Sequence, residues 1–170
     1  MKPARERVLT EGLIAGFIGY VTVIVVYGIV NVATGKSFFY TAALLGNAVL
    51  GGSSSTADLS APGPIIVYNG IHLIVFVCIG LGAAWIIAQT ELHPGIWYLA
   101  FYLFLTLFFI GFVAIRVLAA PVIDQLPWGW PVIWVNLAAA VLMGLYLWQA
   151  HPRLWREVTQ HGDPEVDDVP

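Results

Sequence analysis

Long, almost uncharged apolar runs dominate this chain and leave few folds open to it. They cover residues 12–32, 65–88, 97–118 and 131–149. A helix that crosses a bilayer needs about 20 mostly apolar residues. In hydrocarbon no water satisfies the backbone, so each run must close its own hydrogen bonds as a helix. A barrel would show shorter segments of alternating polarity, and none is present. Composition agrees: 59% of the 170 residues are hydrophobic and 10% are charged, against roughly 45–50% and about 25% in soluble domains. The expected fold is all-α, an integral membrane bundle of four transmembrane helices forming one domain over residues 1–155. An acidic tail, residues 156–170, carries Asp163, Glu165, Asp167, Asp168 and two prolines. It is expected to be flexible.

Boundary residues mark the same runs. Pro64, Pro94 and Pro131 sit at or just before helix starts, where a missing N–H costs little. Trp97, Tyr98, Trp128, Trp130, Trp148 and Trp155 flank the third and fourth runs, and their rings favour the headgroup level. The first run is longer than the apolar core of a signal peptide, so cleavage is not expected. A fifth apolar stretch, residues 38–50, is too short to span. It is expected to lie as a short interfacial helix in the first outer loop, with a re-entrant segment as the alternative. Residues 51–55 after it read as a flexible linker.

Basic residues set the orientation. Lys2, Arg5 and Arg7 precede the first run, and Arg153 and Arg156 follow the last; the other side has Lys36 and Arg116. This bias places both termini in the cytoplasm, with a bacterial inner membrane as the expected location. The second and third helices, joined by a short turn, are expected to be antiparallel neighbours.

Polar groups inside such a bundle are costly and point to a site unless they bond across helices. Asn69 and His72 share one helix face, which Phe76, Gly80 and Ala83 continue. Asn136 shares another with Ala139, Ala140, Met143 and Gly144. At 1.5 Å per residue, His72 lies roughly 12 Å below Pro64 and Asn136 roughly 8 Å below Pro131, so the two are expected to meet in the outer half. Asn31 and Arg116 end their helices on that side, which gives a candidate cluster of Asn69, His72, Asn136, Asn31 and Arg116. Snorkelling to the interface is the plainer role for Arg116, with Asp124 as its partner. Glu11 reads as a carboxylate at a helix start, favoured by the dipole. Gly12, Gly16 and Gly19 form a stripe that lets another backbone approach; packing within the chain is preferred over a dimer seam. Gly28 lies off this stripe and is expected to matter less.

Several chemistries fail on inventory. Cys78 is the only cysteine, which excludes an intrachain disulfide, quinone-coupled thiol chemistry and a cysteine-rich metal site; it reads as a small packing residue. Zinc needs about four ligands, and His72 has no evident companions. A bis-histidine haem lacks a second histidine at the right depth, because His93 sits on the inner turn while His151 and His161 fall outside the spans. Paired intramembrane carboxylates, a phosphate loop, G-x-S-x-G and H-E-x-x-H are absent. No catalytic residue, metal or cofactor is assigned, and no basic stretch suggests nucleic acid. The expected partners are the lipid bilayer and either a further copy or another membrane protein. The leading function is that of a non-catalytic accessory or structural subunit. The alternative is a small-solute or proton transporter or channel component with a polar outer-half site around His72. A haem- or quinone-binding redox subunit comes third.

Overall fold

The computed structural model describes residues 4–51, 61–92 and 130–151, together with the single positions 98, 102, 106, 109, 113 and 117. Everything described is helix or the turns that join helices: α1 (Ala4–Ala33), α2 (Tyr40–Val49), α3 (Pro62–Leu92) and α4 (Trp130–Ala150). Three of them, α1, α3 and α4, are long and apolar enough to cross a membrane. The predicted span at 97–118 falls outside the described residues, except for those single positions, each helical and exposed. Residues 156–170 lie outside them as well, as do Arg116 and Asp124.

Much of α1 is β-branched, with Val21, Thr22, Val23, Ile24, Val25 and Val26 in sequence. Such a segment is a mediocre helix former in water. In hydrocarbon the unmet hydrogen bonds of any other conformation decide the matter. Polar side chains within the helices follow the same logic. Thr10, Thr22, Thr34, Asn47, Asn69 and Thr90 each donate to the carbonyl four residues back, at 2.7–3.0 Å. A helix can thus carry isolated hydroxyls and amides through an apolar medium.

Glycine ends α1. Gly35 adopts φ +75°, which lets Gly35 N–H reach the Val32 carbonyl at 3.0 Å and Lys36 N–H the Asn31 carbonyl at 2.8 Å. This paired closure satisfies orphan carbonyls of the last turn. The ammonium of Lys36 then sits 4.2 Å from the centre of the Tyr40 ring, a contact worth about 0.5–1 kcal/mol when exposed.

α1 is the central helix, packed against both α3 and α4, and α2 packs mainly on α3. The close approach of α1 and α3 depends on glycine. A Cβ on Gly12 would lie 2.6 Å from Leu81 Cα, and one on Gly16 would lie 2.6 Å from the Phe76 carbonyl oxygen. Gly80 backs onto Gly12 and Gly16 from the other side, and Phe76 and Met143 both press on Gly19. The stripe therefore lies inside the chain, between its own helices. Gly28, off the stripe and expected to matter less, has the Phe38 ring against it where a Cβ would be. Gly46 of α2 seats in the same manner on the backbone of Pro64.

These pairings give the helix directions. Gly12 meets Leu81 while Gly19 meets Phe76, so α3 runs antiparallel to α1. Met143 meets Gly19 and His151 meets Glu11, so α4 does too. The core is Ala15, Val23, Phe76, Ala84, Val135, Ala139, Met143 and Leu147. On α4 the buried stripe is Val135, Ala139, Met143 and Leu147, rotated from the expected one: Asn136 and Ala140 are half-buried, and Gly144 is exposed. Cys78, expected to pack as a small residue, is exposed on α3.

Candidate functional site

Two polar clusters stand out, one at each end of α1. The first, at the end where α1, α2 and α3 meet, is a small pocket of about 20 Å³, room for roughly one water. Val23, Tyr27 and Asn31 of α1 and Tyr68, Asn69 and His72 of α3 line it, together with Phe38 and Phe39 of the connecting turn. Asn31, Asn69 and His72 of the expected cluster thus share one cavity. Asn136 is not among its lining residues, and Arg116 lies outside the described residues.

The three shared residues have different tasks. Asn31 is 3% exposed and works as a clasp. Its Nδ2 donates to the Phe38 carbonyl at 3.1 Å, and its Oδ1 accepts from the Thr41 hydroxyl at 2.9 Å. One amide thereby fixes both the turn and the start of α2 to the end of α1. Asn69 turns its Nδ2 back to the Ile65 carbonyl, which leaves its oxygen for the pocket side. His72 sits among aromatic rings: Tyr68 stacks on it with centroids 5.1 Å apart, Phe76 lies at 5.0 Å and Tyr20 at 6.5 Å. Its Nε2 is buried and has no hydrogen-bond partner among the described residues. An unmet buried polar atom of this kind costs about 1–3 kcal/mol.

The second cluster lies where α1 begins and α4 ends, and the sequence reading missed it. Glu11 does not start a helix. It sits in the second turn of α1, because that helix already begins at Ala4. The Glu11 carboxylate accepts from Arg7 Nε at 2.9 Å and pairs with His151 Nε2 at 2.8 Å. Arg7 also donates to His151 Nδ1 at 2.8 Å and to the Ala150 carbonyl at 3.2 Å. His151, expected outside the span, is 3% exposed. Since Arg7 can only donate, Nδ1 must accept, and the hydrogen-bond pattern selects the tautomer with its proton on Nε2, donated to Glu11. The signal was present in the four-residue spacing of Arg7 and Glu11, a favourable pair on any helix. The distant partner, His151, had no such mark.

No protein-family model matches this chain, and no curated protein or solved structure matches it. Among the described residues no group of three or more His, Cys, Asp or Glu side chains is placed to hold a metal ion.

Proposed function

We propose that this chain is a multi-pass membrane protein with a structural role: a non-catalytic subunit that binds a further membrane protein through its apolar faces. One observation carries this reading. Arg7, Glu11 and Asn31 at the two ends of α1 are engaged within the chain, and Leu13, Phe17, Val21, Val25, Ile29 and Val32 form a continuous exposed apolar stripe along that helix. The parallel course of α3 and α4 supports four spans, because the chain must return across the bundle between them, and residues 97–118 are apolar enough to do so. Tagged protein extracted from its own membrane in mild detergent should migrate as a larger particle of fixed stoichiometry. A monomer under every mild condition, with no crosslinks formed in the membrane, would remove the reading.

The charge bias supports a bacterial inner membrane with both termini inside. In a Cys78→Ala background, cysteines at Ser54 and Gln125 should react with an impermeant thiol reagent on intact cells, and those at Thr90 and Thr159 should not. The reverse pattern would invert the topology.

A second reading, a small-solute or proton transporter or channel component, is favoured by the orphaned Nε2 of His72. Its test is flux into liposomes containing the protein, compared with His72→Phe. A haem or quinone would need far more room than a pocket of about 20 Å³, and the visible spectrum of the purified protein checks the haem case.

A further inference from the structure

Where α1 begins and α4 ends, a titratable ring is held between a side chain that can only donate and a carboxylate that accepts. His151 directly follows the last residue of α4. Trp148, on the same helix, is 54% exposed, and an exposed indole at a helix end favours the headgroup level. Arg7 and Glu11 face His151 from α1. Tyr146, also on α4, lies within electrostatic reach of the Glu11 carboxylate. The described side chains of α3 at this end, from Gly82 to Thr90, include no ionisable group, and residues 152–170 lie outside the described ones.

This arrangement suits only the neutral ring. Arginine has N–H groups and no acceptor, so Nδ1 must keep its lone pair for Arg7 Nη2 at 2.8 Å. A proton on Nδ1 would set two N–H groups and two positive charges against each other at that distance. The other edge of the ring meets no such conflict. Nε2 donates to Glu11 at 2.8 Å in either state, and a cationic donor strengthens a bond to a carboxylate. The partner that can move is the arginine, whose side chain is 41% exposed, against 14% for Glu11 and 2% for His151. Arg7 also donates to the Ala150 carbonyl at 3.2 Å, so its departure undoes a second tie between α1 and α4.

We infer that Arg7, Glu11 and His151 form a proton-operated latch: His151 takes a proton on Nδ1 from the medium at this end, Arg7 turns out, and the Glu11–His151 ion pair stays. The proton binds the Nδ1 lone pair and no covalent bond breaks. Acid at this end of the bundle thus loosens the first turns of α1 from α4 without parting the helices at Glu11.

Solid-state NMR of the full chain in liposomes, labelled at histidine and arginine, tests the latch between pH 8 and pH 5, the range in which histidine changes charge. At the upper end His151 should show a protonated Nε2 and a bare Nδ1, with the Arg7 side chain rigid. As the pH falls, Nδ1 should become protonated and the Arg7 order parameter should drop below about 0.6, both at one midpoint. His151→Gln keeps an acceptor for Arg7 and a donor for Glu11 but takes up no proton, so Arg7 should stay rigid throughout. An Arg7 that remains rigid once Nδ1 is protonated, or a ring that is still neutral at pH 5, would overturn the inference. A release of Arg7 that persists in His151→Gln would do so too, because it would assign the proton to Glu11. Two separate midpoints in the native chain would overturn it whether or not the glutamine variant folds.

Discussion

The two ends of α1 handle polarity in opposite ways. Where α1 begins and α4 ends, Arg7, Glu11 and His151 form a set in which both carboxylate oxygens and both imidazole nitrogens are engaged. Where α1 ends, Asn31 is just as fully engaged, but its neighbour His72 is left with a buried, unmet Nε2. The first region converts charge into helix docking. The second spends one amide on holding the turn in place and carries a histidine that the fold would be more comfortable without. The difference teaches what stability alone explains: a satisfied network, and not an unsatisfied buried atom.

The largest effect is expected at the seam that joins the two regions. Gly16→Leu would drive a side chain into the α3 backbone at Phe76 and Val77, at a cost on the order of 2–3 kcal/mol. Gly28→Leu first meets the edge of the Phe38 ring, a side chain rather than backbone, so its loss of thermal stability in detergent should be clearly smaller. Equal losses would mean that the ring is as immovable as a backbone.

Breaking the Arg7–Glu11–His151 network comes next. Glu11→Ala leaves His151 and Arg7 without their shared acceptor. A fully buried pair loses about 3–5 kcal/mol when one partner is removed. Arg7 is 41% exposed, and solvent should reduce the loss to roughly 1–3 kcal/mol. His151→Ala should be comparable, and the double variant should lose less than the sum. Strict additivity would show that α4 is not held to α1 through this contact. The nitrogen NMR shifts of His151 offer a sharper check, with the proton expected on Nε2.

Asn31→Leu should follow, since it leaves the buried Thr41 hydroxyl unpaired and frees the part-buried Phe38 carbonyl, at about 1–2 kcal/mol. His72→Phe has the smallest effect and the opposite sign. It keeps an aromatic ring in the box and removes the unmet atom, so the melting temperature should hold or rise slightly, a gain of up to about 1 kcal/mol. A marked loss of stability would mean that His72 is as structural as His151, and the contrast between the two ends would disappear.

The apolar runs, read residue by residue, determined a good deal. That 12–32, 65–88 and 131–149 are helices follows from the backbone's need for hydrogen bonds in lipid, a local requirement met within each segment. A short helix within residues 38–50 was legible for a different reason, an apolar stretch too short to span. So was the sharing of a face by Asn69 and His72, which is helical geometry alone. What the sequence left open depends on how helices rotate and pair. The expected α4 face was turned relative to the buried one because small residues permit contact without compelling it. Val135 and Leu147 are buried where Gly144 is not, and nothing within α4 selects that rotation. The ring that lies on Gly28 comes from Phe38, ten residues away. His151 was set aside because the fourth apolar run ends at Gln149, yet it is buried against Glu11, a residue at the far end of the sequence. Periodicity fixes the hydrogen bonds within a helix, but only the assembled bundle decides which side chains from distant helices come within 3 Å of each other.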